Sequence, residues 1–152
     1  MLSANPPYLR SFESSRQANM NTRKYLLYAD DDMDDREMME HAFLTENEYS
    51  LLTFSNGEEL LQHLKEKTTA GEVALIVLDI NMPILNGMET LKALKADAAY
   101  KDIPTIMFST SGSPKDRAEA AEMGTDVLLK PSSFNEVQAI SKTMLGYCRE
   151  AE

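Results

Sequence analysis

Short apolar runs typical of β-strands alternate with amphipathic stretches typical of helices along most of this chain, from Lys24 onward. This alternation predicts βαβ units, in which helices cover a parallel sheet. Five runs have the character of strands: Tyr25–Ala29, Tyr49–Phe54, Val73–Asp79, Thr105–Phe108 and Asp126–Leu129. The third is apolar almost to its end, as expected of a strand that helices cover on both faces. The sequence therefore predicts an α/β fold with five strands and five helices.

Capping signals mark the starts of three predicted helices. A serine followed three residues later by glutamate has the spacing of a capping box, and a serine before proline is typical of a first helical turn. The chain carries these signals at Ser55 with Glu58, Ser113 with Pro114, and Ser133 with Glu136. In the last helix, apolar residues recur at helical spacing and are expected to pack onto the sheet. They are Val137, Ile140, Met144 and Tyr147.

Chain length favours one globular domain. The 152 residues can bury a core large enough to fold without disulfides or a structural metal. Residues 1–22 are rich in Ser, Asn, Pro and Arg, show no sustained periodicity and lack the apolar stretch of a signal peptide. We therefore expect a flexible N-terminal extension over residues 1–22 and a single domain over residues 23–152.

Charge and composition argue against several classes of function. The formal net charge of −10 argues against a nucleic-acid partner, since such binding depends mainly on Lys and Arg. No apolar run approaches the roughly 18 residues of a membrane span. Cys148 is the only cysteine, so nothing ties the chain to an oxidising compartment. We expect a cytoplasmic protein whose partners are proteins or cations.

Charged side chains follow three of the predicted strands at their carboxyl ends. Asp30 and Asp31 follow the first strand and Asp79 ends the third. Lys130 follows the fifth strand. In open α/β sheets the binding crevice lies outside the carboxyl ends of the strands, where the strand order reverses. We therefore expect these four side chains to meet in one cleft.

The residue types at this cleft suit phosphoryl chemistry with a divalent cation. Mg²⁺ prefers carboxylates and water, and Asp31 and Asp79 can supply the carboxylates. Beside a metal, the Asp79 carboxylate can attack phosphorus and form an aspartyl phosphate. The hydroxyl of Ser109, at the end of the fourth strand, can donate to a phosphoryl oxygen. Lys130 opposes the carboxylates, and a cis bond before Pro131 would turn its ammonium inward.

Structural interpretations of the same residues stay open at this stage. The run from Asp30 to Asp35 can be an acidic helix start favoured by the helix dipole. Lys130 can be a solvated charge at a sheet edge, and Ser109 a loop hydroxyl. Asp79 is harder to explain in this way, because it ends an apolar strand and opens a loop.

Four motifs, taken together, resemble the receiver domain of two-component response regulators, over residues from about 24 to 147. In chain order they are Leu26–Asp31, Leu78–Pro83 followed by Asn86-Gly87, Ile106–Thr110, and Leu128–Pro131. Each motif is weak alone, but the four at this spacing are specific. The resemblance implies a flavodoxin-like, doubly wound parallel sheet with the strand order 2-1-3-4-5 and five helices.

The resemblance also implies a role for each site residue. Asp79 is expected to accept the phosphoryl group, Ser109 to sense it through its hydroxyl, and Lys130 to pair with it. The implied cofactor is Mg²⁺. Its expected ligands are Asp30 through a water molecule, Asp31 directly, Asp79, and the backbone carbonyl of Asn81.

The function implied by the resemblance is that of a single-domain response regulator. A sensor histidine kinase or a histidine phosphotransfer protein would phosphorylate it, and a phosphorylation-dependent interaction, including a homodimer, would carry the signal. Only 21 residues follow Pro131, so we expect no effector domain after it. The stretch Lys95–Pro104 is similar to that of small regulators paired with phytochrome-type kinases.

One departure from the family pattern concerns the switch residue. Many receivers carry an aromatic residue three positions before the lysine, whereas this chain has Val127 there. Signalling must then depend on Ser109 and on movement of the adjoining loop and helix.

Two other functions compete with phosphoacceptor signalling. A phosphohydrolase of the haloacid dehalogenase type needs a second aspartate two residues after its nucleophile, where this chain has Asn81, and an amide does not titrate. A docking module with a receiver fold would act without phosphorylation. The complete set of carboxylates, hydroxyl and lysine argues against it.

Overall fold

A parallel sheet of five strands forms the centre of the molecule in the computed structural model, which describes residues 24–149. The strands are β1 Lys24–Ala29, β2 Tyr49–Phe54, β3 Val73–Asp79, β4 Thr105–Ser109 and β5 Val127–Leu129. The helices are α1 Met33–Ala42, α2 Gly57–Glu66, α3 Gly87–Ala96, α4 Pro114–Glu122 and α5 Phe134–Leu145, with a short 3₁₀ turn at Ala70–Glu72. The predicted α/β fold is confirmed, while the predicted extension over residues 1–22 lies outside the described residues.

The strand order in the sheet is β2-β1-β3-β4-β5, and all four neighbouring pairs are parallel. This is the predicted order 2-1-3-4-5. The chain leaves β1 toward β2 on one side and later returns to place β3 on the other side of β1. The order therefore reverses between β1 and β3, which is where such sheets form their binding crevice.

Apolar residues on the two faces of the sheet form two separate cores. Successive strand residues point to opposite faces, so Leu27 and Ile76 belong to a core with α2 and α3, whereas Leu26 and Leu75 belong to a core with α1 and α5. Every residue of β3 is buried. The predicted burial of the third strand on both faces is therefore confirmed.

Two of the three predicted helix starts are confirmed, and one is wrong. Ser113 and Ser133 are N-caps, each accepting a hydrogen bond from a backbone N–H three residues later. The helix near Ser55 is capped instead by Asn56, whose side chain accepts from the N–H of Glu59 at 2.9 Å. Gly57, the first residue of α2, packs tightly, since a Cβ there would collide with the hydroxyl of Thr90.

The apolar stripe of the last helix packs onto the sheet as predicted. Val137 and Met144 are buried, and Ile140 and Tyr147 are half-buried against the core that contains α1 and α5. Tyr147 lies just after the helix ends, and its hydroxyl donates to Asp126 at 2.6 Å. None of the helices within residues 24–149 is long and apolar enough to cross a membrane.

Candidate functional site

The carboxyl ends of β1 and β3 bring Asp30 and Asp79 to the same edge of the sheet. Ala29, the last residue of β1, lies opposite Leu78 in the β1–β3 register, so the next residue on each strand is an aspartate. The backbone N–H of Asp30 donates to the carbonyl of Phe54 at 2.9 Å, which continues the β1–β2 pairing by one residue. Both carboxylates therefore lie at the reversal of strand order.

Three carboxylates converge at this edge. One oxygen from each of Asp30, Asp31 and Asp79 lies within 4.8 Å of the others. Asp30 is fully buried and Asp79 nearly so, while Asp31 is exposed, so the cluster opens to solvent on one side. Carboxylate oxygens are the donors that hard divalent cations prefer. The donor set therefore fits a divalent metal ion.

Lys130 lies among the carboxylates and is not a solvated edge charge. Its Nζ is 2.6 Å from Asp30 Oδ2, 2.8 Å from Asp35 Oδ2 and 3.6 Å from Asp79 Oδ2. Burial would lower the pKa of this ammonium, but its hydrogen bonds to Asp30 and Asp35 outweigh that effect and raise the pKa above the usual value. The lysine is therefore a fixed positive charge in the site.

The suggested cis bond before Pro131 is wrong, since all peptide bonds within residues 24–149 are trans. The backbone N–H of Lys130 donates to the carbonyl of Ser109 at 2.7 Å, which keeps the chain in line with β4. The ammonium turns inward because its hydrogen bonds to Asp30 and Asp35 hold it there.

The carboxyl group of Asp79 has an unusual proton affinity. Burial, together with the negative charge of Asp30, raises the pKa of Asp79 to about 7. The Lys130 ammonium and a hydrogen bond from the backbone N–H of Asn81 act in the opposite direction. A cation that enters the cluster would favour the ionised form, which is the nucleophilic one.

The loop after Asp79 returns close to its own start. The N–H of Gly87 donates to the carbonyl of Ile80 at 3.0 Å, and a Cβ at Gly87 would collide with the carbonyl of Asp79. Glycine is therefore required at this position. Asn86 caps α3 by accepting from the N–H of Glu89 at 2.9 Å. The Asn86-Gly87 motif thus ends the loop and starts the helix.

Ser109 and Asn81 reach the site less directly than the charged residues do. Ser109 is buried at the end of β4, but its hydroxyl donates to the carbonyl of Ser111 at 3.1 Å and accepts from the N–H of Ser111 at 3.3 Å. The described contact of Asn81 with the site is its N–H to the Asp79 carboxylate. The structure thus places both residues at the predicted edge, with the serine hydroxyl bonded inside its own loop.

Three residues of the site were not predicted from the sequence. The hydroxyl of Tyr28 donates to Asp30 Oδ2, and Arg36 donates to the Asp30 carbonyl at 2.6 Å. Asp35 pairs with Lys130, which lies 95 residues away in the chain. Tyr28 could have been found, because residues two apart on a strand share a face. The partner of Asp35 could not, since no local pattern indicates it.

The helix-start interpretation of the acidic run holds for part of it. Asp32 is the N-cap of α1, where its side chain accepts from the N–H groups of Asp34 and Asp35. Its own N–H donates to Asp30 Oδ1 at 3.0 Å. The run therefore starts a helix and, through Asp30 and Asp35, holds Lys130.

Comparisons with known proteins find one matching family. The response regulator receiver domain is the family whose sequence profile matches, over residues 26–142. The chain is 31% identical over 127 residues to the chemotaxis protein CheV2 of Helicobacter pylori, which covers 84% of this chain and 40% of that protein. The chain spans about half the length of the curated relatives it matches.

Two solved structures show the same fold. One is the phosphorylated cyanobacterial phytochrome response regulator RcpA, with 24% identity, a TM-score of 0.71, and coverage of 81% of this chain and 94% of that chain. The other is the Mn²⁺-bound form of the response regulator Rcp1, with 23% identity, a TM-score of 0.71, and coverage of 85% and 99%.

Proposed function

This chain belongs to the response regulator receiver family, and from that premise we propose that Asp79 accepts a phosphoryl group from a phosphohistidine. The donor would be a sensor histidine kinase or a histidine phosphotransfer protein. The proposed cofactor is Mg²⁺, and the phosphorylated surface would carry the signal to a protein partner. As in the family generally, the chain would be a phosphoacceptor rather than an enzyme that turns over a separate substrate.

The proposed step forms one bond and breaks another. An oxygen of the Asp79 carboxylate attacks phosphorus, and the P–N bond to the donor imidazole breaks. The electron pair of that bond returns to the imidazole nitrogen, which then takes up a proton. When bound, a divalent cation would supply positive charge to the carboxylates and to the phosphoryl oxygens.

The residues around Asp79 have separable tasks in this proposal. Asp30 and Asp31 would hold the cation beside the nucleophile. Lys130, held by Asp30 and Asp35 with Nζ 3.6 Å from Asp79, would pair with the negative charge that the phosphoryl group adds. The hydroxyl of Ser109 would leave Ser111 and donate to a phosphoryl oxygen.

The choice of cation rests on the donor set and on one relative. The three carboxylates fit Mg²⁺, which takes one or two protein carboxylates and keeps several waters. Rcp1 is described in a Mn²⁺-bound form, and Mn²⁺ prefers the same kinds of ligand.

One observation carries the proposal: the buried carboxylate of Asp79 lies within 4.8 Å of two other carboxylates and 3.6 Å from a lysine ammonium. The test is uptake of phosphate from acetyl phosphate, or from a phosphohistidine kinase, measured by intact mass. The wild-type protein should gain the mass of one phosphoryl group, and Asp79→Asn should gain none. Asp102→Asn, the same change at an exposed site, is the matched control and should label like the wild type.

Peptide mapping of the labelled protein places the phosphoryl group. Undiminished labelling of Asp79→Asn at another residue would contradict the proposal. A wild-type protein that takes up no phosphate yet binds a signalling partner would favour the docking module instead.

A further inference from the structure

The side chain of Arg117 on α4 links two segments next to the site. Its Nε donates to the carbonyl of Gly112 at 3.3 Å, and its Nη1 donates to the carbonyl of Val127 at 3.4 Å. Gly112 belongs to the loop between β4 and α4, and Val127 is the first residue of β5. One guanidinium therefore bridges the loop to the strand.

Gly112 has no side chain, which leaves room for this contact. A Cβ on Gly112 would lie 2.9 Å from Arg117 Nε and 3.0 Å from Nη2, so the guanidinium lies against the bare Cα of the glycine. The backbone of Gly112 has no left-handed conformation that would itself require glycine. The absent side chain therefore makes room for the arginine.

The bridged loop is the one that holds the Ser109 hydroxyl. Ser109 exchanges two hydrogen bonds with the backbone of Ser111, and Gly112 is the next residue. If that hydroxyl moves to a phosphoryl oxygen, both bonds break and Ser111 is released. The Gly112 carbonyl is then no longer held where Arg117 meets it.

On the β5 side, the bridge ends at Val127, the position where many receivers carry an aromatic switch residue and this chain does not. Val127 is half-buried and packs against the core with α2 and α3. The backbone carbonyl of Val127 is the group that accepts the hydrogen bond from Arg117.

We propose that Arg117 is the positioning residue that couples the Ser109 loop to β5, and that its bridge to Gly112 and Val127 stabilises the unphosphorylated arrangement. The inference rests on the proposed phosphorylation of Asp79. Because the bridge favours one of two states, phosphorylation and bridge rupture must favour each other reciprocally. Loss of the bridge should therefore make phosphorylation easier, whereas a merely structural contact would not change it in this direction.

The variants separate the effect of the two hydrogen bonds of Arg117 from the effect of its positive charge. Arg117→Ala removes the bridge, and Arg117→Lys keeps the positive charge but cannot make the two-pronged contact. In Gly112→Ala, the added methyl group displaces the Arg117 guanidinium from the carbonyl of residue 112. Glu119→Gln is the matched control, because it breaks the ion pair of α4 with Lys92 and leaves the bridge intact.

The experiment measures the rate of labelling by acetyl phosphate with Mg²⁺. It also measures hydrogen exchange over residues 109–117 and 125–130 in the unphosphorylated and the phosphorylated protein. Arg117→Ala, Arg117→Lys and Gly112→Ala should each label about fivefold faster than the wild type, since losing the long, exposed hydrogen bonds of the bridge raises the population of the arrangement that takes up phosphate. Before phosphorylation, their exchange over both segments should already resemble that of the phosphorylated wild type. Glu119→Gln should match the wild type in both respects.

The outcomes distinguish this inference from the function on which it rests. A wild-type protein that takes up no phosphate would overturn both. A wild-type protein that is labelled, with the three bridge variants labelling at its rate and showing its full phosphorylation-dependent change in exchange, would overturn the role of Arg117 alone.

Discussion

At the level of single residues, Lys130 holds the site together electrostatically. The Lys130 side chain is only 9% exposed, and its ammonium offsets the negative charge of Asp30, which is fully buried. Removing one partner of a buried ion pair leaves the other charge uncompensated, which costs far more than losing a surface pair. The lysine is therefore important for stability as well as for the proposed function.

Substitution of Lys130→Met should lower the free energy of unfolding by about 3 kcal/mol in metal-free protein at neutral pH. Urea denaturation followed by circular dichroism measures this change. Lys92→Met is the control, because Lys92 pairs with Glu119 at an exposed position and its loss should leave the urea midpoint nearly unchanged. Equal midpoint shifts for the two variants would contradict the buried pairing.

The raised pKa of Asp79 predicts how stability depends on pH. Between the ordinary value of 3.8 and about 7, the folded protein keeps a proton on Asp79 that the unfolded chain releases. The wild type should therefore lose stability relative to Asp79→Asn as pH rises through this range in the absence of metal. Unfolding curves of both proteins from pH 4.5 to 8 measure the difference, and parallel pH profiles would contradict it.

Metal binding should depend on the exposed carboxylate of the cluster. Asp31→Asn should weaken Mg²⁺ binding by about tenfold or more, since the proposed direct ligand loses its charge. Asp34→Asn, a nearby exposed change at the start of α1, should bind like the wild type. Calorimetric titration with Mg²⁺ measures both, and chelation with EDTA should stop phosphate uptake by the wild type. The same affinity in both variants would remove Asp31 from the ligand set.

At the level of elements, capping preference alone does not determine where α2 begins. Ser55 and Asn56 are both good N-cap residues, so local preference does not choose between them. In the structure Asn56 is the N-cap of α2, and the N–H of Gly57 donates to the carbonyl of Leu85 in the loop before α3 at 3.2 Å. Ser55 instead donates through its hydroxyl to Glu59 at 2.8 Å, which strengthens the same helix start from outside.

Removing the side chain of Asn56, the observed N-cap of α2, should destabilise the protein more than removing that of Ser55, the predicted N-cap. Asn56→Ala should destabilise the protein by about 1 kcal/mol, because the N–H of Glu59 loses its buried partner. Ser55→Ala should cost clearly less, since Ser55 is outside the helix. Thermal unfolding of the two variants compares them, and a larger shift for Ser55→Ala would place the cap one residue earlier.

At the level of the whole molecule, the proposed output is a change of the surface around α4, β5 and α5. Leu129, the last residue of β5, is 51% exposed and is a large apolar group at the end of the sheet. An exposed apolar residue beside a site that changes charge is suited to a contact that forms only in one state. We therefore expect self-association to increase on phosphorylation.

Sedimentation velocity of phosphorylated and unphosphorylated protein should show tighter association of the phosphorylated form. Leu129→Ser should abolish the increase while leaving labelling of Asp79 intact. Leu44→Ser is the control, because Leu44 is 74% exposed but follows α1. Ser109→Ala should be labelled yet fail to associate. Unchanged sedimentation on phosphorylation of the wild type would exclude self-association as the output.

Much of this molecule could be predicted from its sequence, because the relevant signals are local. The alternation of strand and helix patterns predicts the parallel sheet, and the position of Asp30, Asp79 and Lys130 at the carboxyl ends of strands predicts that they meet. Strand ends of a parallel sheet share one edge whatever the details of packing. The four motifs in order then indicate the receiver family.

Tertiary structure alone decided the features that depend on contacts between distant segments. The pairing of Lys130 with Asp35 joins residues far apart in the chain, and the bridge from Arg117 joins a loop to β5. The Ser109 hydroxyl points to Ser111 because the loop folds back on it. Such contacts depend on distances that packing of the whole domain sets, whereas strand ends and helix faces follow from the period of the local pattern.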